Sequence, residues 1–225
     1  QTRPAGYSFA KPPKDFSQMS GLRAAGSDMP EIYGSLIYTA ESAAVAKDMG
    51  IYTLPEMNPV RVDPVLTANG GGVLANGKYH FIYYYEMSGA VFKIYGCFVG
   101  ESSYVFGTLS KDYGEVTVIS YLSEPFFTLA CNAKGEMYAI TANGKLNRID
   151  KTNGKLTPIG ATGVTLAYQQ SMTFDMATGR LFWAACTAAS AGLYEVDTTS
   201  GKASLVSEFA GNEEFGGLYT LWQGA

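Results

Sequence analysis

The chain has 225 residues, of which 47% are hydrophobic, 13% aromatic and only 16% charged. With 26 Gly and 16 Tyr, this composition is typical of a globular protein built from strands and turns. A net charge of −4 without a basic block gives no support for nucleic acid or an anionic membrane as a partner. No apolar run reaches the roughly 20 residues that span a bilayer, which argues against direct membrane insertion.

The first thirty residues are rich in Pro, Gly, Ser and Ala, and they begin with Gln1 rather than Met. We interpret residues 1–30 as a flexible segment left after removal of an export signal, followed by one domain over residues 31–225. From this inferred export we predict that the protein is bacterial and is secreted or located at the cell surface. Because the first residue is not Cys, a bacterial lipid anchor is not expected at this end.

Residues 33–120 contain two successive groups of short strands. The first group has no convincing innermost strand and is predicted at 34–39, 50–54 and 60–63. The second is predicted at 78–86, 92–99, 104–109 and 116–120, and it stays open whether 92–99 is a regular or an inserted strand. An Ala-rich stretch at 42–48 is the only helix-like segment.

Two further groups of four strands repeat each other with a spacing of about 45 residues, which is typical of four-stranded propeller blades. We predict the strands at 127–131, 137–141, 146–150 and 155–159, and then at 171–175, 181–186, 192–197 and 202–207. Three segments with the pattern Asp-x-x-x-Gly-basic, beginning at Asp150, Asp175 and Asp197, fall between consecutive strands. An Asp carboxylate accepts turn N–H groups and Gly adopts positive φ, so these segments are predicted reversals.

The chain ends with a strand-like segment, 216–222, that has no partners after it. A closed ring removes exposed sheet edges, so this segment is predicted to become the innermost strand of the first blade. The predicted fold is therefore all-β, a propeller of four four-stranded antiparallel blades closed by the C-terminal strand. A fragment of a larger propeller is the alternative.

Residues 171–219 carry the succession Met-x-Phe-Asp-x-x-x-Gly-x-Leu-x-Trp-Ala, Leu-Tyr-x-Val-Asp-x-x-x-Gly-Lys-Ala and Glu-Phe-x-Gly-Leu-Tyr. This succession resembles the secreted propeller domains of Bacteroidetes surface proteins. In those proteins the propeller is often followed by fibronectin type III-like modules, and they are usually described as adhesin-like. The resemblance implies a propeller fold, a surface location and further modules of a longer chain.

The residues that catalysis would need are sparse. His80 is the only His, it lies in a strand-like run, and no Gly-x-Ser-x-Gly elbow accompanies it, so we predict no catalytic residue. The Asp turns lack the alternating oxygen ligands of a calcium loop, so neither a metal nor another cofactor is predicted. Cys97, Cys131 and Cys186 are interpreted as buried thiols, with one disulfide and a free thiol as the alternative.

Binding is predicted at the propeller face that carries the d-to-a and b-to-c loops, where strands a to d run from the axis to the rim. Residues 86–90 and 187–191 are assigned to this face as b-to-c loops. Its aromatic, amide and carboxylate groups suit a glycan or a protein or peptide ligand. The predicted ligand-binding residues are Tyr121, Glu124, Phe126, Tyr168, Gln169, Glu213, Glu214 and Phe215. The alternative function is a glycosidase or lyase that pairs Glu124 with Glu213 or Glu214.

Overall fold

The computed structural model describes residues 29–37, 50–62, 80–88, 91–99, 103–110, 115–132, 134–167, 170–175 and 178–220. All of its strands belong to the compact unit Ile32–Ala225. The predicted leading segment is described only at its last residues, and the predicted helix at 42–48 lies outside the described residues. No helix in the described part of the chain has the length and apolarity needed to cross a bilayer.

Sixteen strands form four four-stranded sheets in these ranges. The first sheet contains, from its inner to its outer strand, β16 (Glu214–Thr220), β1 (Ile32–Ile37), β2 (Gly50–Leu54) and β3 (Asn58–Val62). The second contains β4 (His80–Ser88), β5 (Val91–Val99), β6 (Tyr104–Leu109) and β7 (Val116–Leu122). The third contains β8 (Phe126–Cys131), β9 (Met137–Thr141), β10 (Lys145–Ile149) and β11 (Leu156–Ala161). The fourth contains β12 (Ser171–Phe174), β13 (Leu181–Cys186), β14 (Ala191–Val196) and β15 (Ala203–Glu208).

These sheets are the blades of a four-bladed propeller, and the predicted fold class is confirmed. The strand β16 pairs antiparallel with β1 from Ile32 opposite Thr220 to Ile37 opposite Glu214, which closes the ring as predicted. The strand β5, whose status the sequence left open, is a regular second strand of its blade, paired with both β4 and β6.

Two of the core clusters lie between blades, and a third, with Phe98 and Val105, covers one face of the second blade. One cluster joins the second and third blades and includes Phe106, Phe126 and Met137. Another joins the third and fourth blades and includes Ile140, Phe174 and Trp183. Because the third blade packs on both sides, β9 is buried at all five of its positions.

Candidate functional site

The connections between strands divide the described loops between two faces. The d-to-a and b-to-c connections, which we call the loop face, include residues 123–125, 142–144, 187–190 and 209–213. All three Asp-x-x-x-Gly turns lie on the opposite face, called the turn face, as predicted. The assignment of residues 86–90 to the loop face was wrong. Because β4 is the inner strand and β5 the next, the connection between Ser88 and Val91 is an a-to-b turn and belongs to the turn face.

The Asp carboxylates of the turn face bond within their own turns. Asp197 accepts hydrogen bonds at Oδ1 from the Thr199 amide, at 2.8 Å, and at Oδ2 from the Ser200 hydroxyl, also at 2.8 Å. These bonds lower its pKa, and bonds from Thr152 and Asn153 lower the pKa of Asp150 in the same way. The described residues contain no group of three His, Cys, Asp or Glu side chains that could hold a metal ion. The geometry supports a structural role for these carboxylates.

On the loop face, a carboxylate and an amide meet between two connections. The loop from the second to the third blade carries Glu124, and the β9–β10 hairpin carries Asn143. The Asn143 Nδ2 group donates to Glu124 Oε1 at 3.2 Å. Three residues before Glu124, the side chain of Tyr121 is 74% exposed, the largest exposure among the large hydrophobic side chains described. Tyr121 pairs with Val105, so its ring lies on the opposite face of the second blade from Leu122 and the third blade. We call Glu124 and Asn143 the Glu–Asn pair.

A polar network that includes the buried Thr141 fixes the orientation of the Asn143 amide. The Asn143 Oδ1 atom accepts hydrogen bonds from the Thr141 hydroxyl at 2.8 Å and from the Lys145 amide at 3.1 Å. Thr141 is fully buried, and its hydroxyl also accepts a 3.3 Å hydrogen bond from Asn147 Nδ2. With its carbonyl oxygen engaged twice, Asn143 can direct only its amino group towards Glu124.

Two of the predicted aromatic residues lie in the core. Phe126 is 0% exposed, packs against Phe106 and donates its amide hydrogen to the Cys97 sulfur at 3.4 Å. Phe215 is 1% exposed and meets Phe209 edge-on, with ring centroids 4.9 Å apart. These rings therefore stabilise the blades beneath the loop face. Their contact with a ligand stays a prediction.

The predicted acidic residues beside the closing strand differ in exposure. Glu213 is partly exposed and curls towards Gly211, whereas Glu214 is 3% exposed at the start of β16. Burial, reinforced by the charge of Glu214, raises the pKa of the Cys186 thiol to about 12. Glu124 lies in the loop before the third blade, and Glu213 lies in the loop before the closing strand of the first blade. The two residues therefore precede blades on opposite sides of the ring. Tyr168 and Gln169 lie outside the described residues.

Two residues on this side of the molecule were not among the predicted site residues. Asn143 begins an Asn-Gly pair, a sequence signal for a tight hairpin turn, and this turn joins a b strand to a c strand and so belongs to the loop face. Gln170 is buried and holds the inner end of the fourth blade together. It donates to the Ala167 and Cys186 carbonyls and accepts from Trp183 Nε1 at 3.0 Å. The only sequence signal for Gln170 is that it is an amide residue in the loop before a core strand.

The three cysteines are buried free thiols, as interpreted from the sequence. Burial raises the pKa of Cys97 to about 11. A thiol with such a pKa is protonated at neutral pH and is a poor nucleophile.

Comparison with known proteins finds distant structural likenesses. No protein-family model and no curated protein matches this sequence. A crystal structure of a nidogen/laminin complex aligns at 11% identity with a TM-score of 0.46, over 80% of this chain and 62% of that one. A protein of unknown function from Bacteroides caccae aligns at 13% identity and a TM-score of 0.37, over 82% and 74% of the two chains. A candidate 6-phosphogluconolactonase from Bacteroides fragilis aligns at 13% identity and a TM-score of 0.36, over 72% and 51%.

These likenesses do not carry a function to this chain. Each identity is below 25%, and each TM-score is below 0.5. The chain also spans less than two thirds of the nidogen/laminin chain and about half of the lactonase candidate. Function has to be argued from the residues of the loop face themselves.

Proposed function

We propose that this propeller is a non-enzymatic recognition domain of a secreted or cell-surface protein, which binds a glycan or a peptide on its loop face. The observation that carries the proposal is the set of groups at the loop-face end of the second and third blades. They are the largely exposed ring of Tyr121 and the hydrogen-bonded Glu–Asn pair. Such a ring offers a stacking surface, while the polar pair supplies direction to a ligand.

The chemistry of the described loop face favours binding over turnover. Cys186 is buried with a raised pKa, so it is unsuited to nucleophilic attack at neutral pH. The carboxylate of Glu124 is engaged with Asn143. Recognition by preformed side chains needs none of the proton transfer that a hydrolase would require.

The proposal is tested by screening the full chain on glycan and peptide arrays and by measuring the affinity of any positive ligand. Tyr121→Ala should weaken binding about tenfold or more, because an aromatic anchor commonly contributes that much. Leu205→Ala is the control, since Leu205 is also exposed but lies on the outer strand of the fourth blade, across the ring from the second. Equal affinity of the Tyr121 variant and the parent would refute the assignment.

The same samples test the enzymatic alternative. Incubation of the array-positive glycan with the protein should release no shorter product. A cleavage activity that Glu124→Gln or Glu213→Gln eliminates would replace the binding proposal with a glycosidase or lyase that uses carboxylates from opposite blades.

A further inference from the structure

We propose that the ring opens and closes at one seam, the interface between its first and second blades. The inner strands of the third and fourth blades each carry a hydroxyl that bonds to the next blade, and the inner strand of the first blade has a glycine at the same step. Opening of this seam creates a path from the rim to the axis that is separate from the loop face. It does not depend on what the loop face binds.

The hydroxyl ties follow one another along the chain. In the third blade, Thr128 accepts a hydrogen bond from the Met172 amide of the fourth blade at 2.9 Å. The residue before Met172 is Ser171, which accepts from the Leu218 amide of the first blade at 3.0 Å. The residue before Leu218 is Gly217, which has no side chain. The first blade therefore cannot make the same tie to the second.

The backbone of β16 explains why a glycine stands at this step. Gly217 has a φ of 58°, in the left-handed region where a side chain is strained. The pairing with β1 shifts at this point, from Tyr33 opposite Tyr219 to Ser35 opposite Gly216, so β16 has an extra residue there. A serine or threonine would fit this bulge poorly, and the missing tie is built into the closing strand.

The spacing of the inner strands agrees with the pattern of ties. The Cα atoms of β12 lie within 8 Å of those of β8 and of β16 over several residues, and β4 lies equally close to β8. The ring also makes β4 and β16 neighbours, but these two described strands do not run this close to each other. Near the axis, the seam between the first and second blades is the least tightly closed among the described strands.

The rim of this seam is also open. Phe106 and Leu122 lie on the face of the second blade that packs against the third. Val105 and Tyr121 are paired on the opposite face, which the ring turns towards the first blade. Val105 is fully buried, whereas the side chain of Tyr121 is 74% exposed. Local opening requires the least free energy where ties are missing and apolar packing is incomplete, and both conditions meet here.

Thiol labelling of the full chain under native conditions tests the opening. Val105→Cys places a thiol on the face towards the first blade, while the buried Cys97 of the neighbouring strand lies on the face towards the third. N-ethylmaleimide should label the introduced thiol at least about tenfold faster than Cys97, as measured on the peptides by mass spectrometry. Global unfolding exposes both thiols alike, so a loss of stability in the variant cannot produce this difference.

A second variant separates opening of the seam from fraying at one end of a strand. Leu109 lies at the other end of β6 on the same face as Val105. The thiol introduced by Leu109→Cys should also be labelled about tenfold faster than Cys97. Fast labelling at only one end of β6, or equal labelling on the two faces of the blade, would overturn the proposal. Circular dichroism shows whether each variant is folded, and if one is not, the other decides.

Ser171→Ala tests whether a hydroxyl tie holds its seam. Cys186 lies at the seam between the fourth and first blades, where the charge of Glu214 acts on its thiol. Removal of the tie should let Cys186 be labelled about fivefold faster, the effect of losing one hydrogen bond, while Cys97 is unchanged. Thr173→Val is the control, because it removes a hydroxyl that bonds within β12. If Cys186 stays as protected in the Ser171 variant as in the parent, the ties do not hold the seams and the proposal fails.

Discussion

The glycine of the Asp-x-x-x-Gly turns has two roles where the turn joins strands c and d. It adopts positive φ, at 72° for Gly154 and 81° for Gly201. It also allows the turn to touch the outer strand of the preceding blade. A Cβ on Gly154 would lie 1.9 Å from the Ser120 hydroxyl oxygen, and a Cβ on Gly201 would lie 2.6 Å from the Gly160 carbonyl oxygen. The repeated glycine thus supports blade-to-blade packing as well as turn geometry.

Gly201→Ala should therefore be more damaging than Gly179→Ala. Both glycines have positive φ, at 81° and 74°, but a Cβ on Gly179 would meet no atom within 4 Å. We expect Gly179→Ala to lower the free energy of unfolding by about 1 kcal/mol through backbone strain alone. Gly201→Ala adds a backbone clash and should cost roughly 3 kcal/mol. Urea unfolding measures both, and equal losses would refute the packing role.

The Asp turns also predict how stability depends on pH. The pKa values of Asp150 and Asp197 are lower in the folded chain because turn amides and hydroxyls bond to the ionised carboxylates. A depressed folded pKa stabilises the protein above the unfolded Asp pKa of about 4, and this contribution is lost as pH falls through the folded value. Asp197→Asn should flatten the fall in melting temperature below about pH 4. An unchanged acid slope would contradict this prediction.

At the scale of the element, the outer strand of every blade carries a one-residue bulge near its middle. The unpaired residues are Val60, Ile119, Ile159 and Val206, as the registers of the four outer pairs show. A bulge twists an edge strand and interrupts the ladder that another chain could join. All four residues are β-branched, a type that suits extended strands. The repeated bulge protects the rim of the propeller from edge-to-edge association.

The bulged residues differ in how much they pack, which gives a matched pair of substitutions. Ile159 packs against the cluster between the third and fourth blades, whereas Val206 is 37% exposed. Ile159→Ala should lower the free energy of unfolding by about 1–2 kcal/mol, less than for a fully buried Ile. Val206→Ala should change it by less than about 0.5 kcal/mol. A larger loss for the Val206 variant in urea unfolding would show that the packing argument is incorrect.

At the scale of the whole molecule, the ring depends on contacts made by its last strand. Tyr219 of β16 stacks on Tyr33 of β1 with ring centroids 5.2 Å apart. The inner strands are also tied sideways by hydroxyls. Thr128 accepts from the Met172 amide at 2.9 Å, and Ser171 accepts from the Leu218 amide at 3.0 Å. Removal of β16 would break both the closing ladder and one of these ties.

A chain that ends at Ala210 should therefore lose cooperative unfolding and associate. Without β16, the inner edge of β1 has no pairing partner, and the side of the fourth blade that packs on β16 is exposed. A chain that ends at Thr220 keeps β16 complete and is the matched control. Circular dichroism melts and analytical ultracentrifugation compare the two. A monomeric Ala210 chain with the parent melting transition would rule out the closing role of β16.

The sequence predicted those parts of the fold that depend on local turns and on repetition. The Asp turns and the Asn143–Gly144 hairpin identify the third and fourth blades because their geometry is set by a few neighbouring residues. The bulges depend on pairing between whole strands, and no turn residue marks them. Strands such as β9, buried on both sides, lack the alternation that assigns side chains to a face. The burial of Phe126 and Phe215 beneath the loop face was hidden for the same reason.

The pairing of Ile32 with Thr220 decides how the ring would respond to a pull along the chain. The polypeptide enters β1 and leaves β16 at the same end of this pair, on the turn face. Tension between these two points would load the hydrogen bonds one after another, as in a zipper, instead of shearing them together. A tether attached at either point would also leave the loop face, with Glu124 and Asn143, on the side away from its anchor. We therefore expect the closing ladder to open at a low force along the chain, while the ligand proposed for the loop face would approach from the far side.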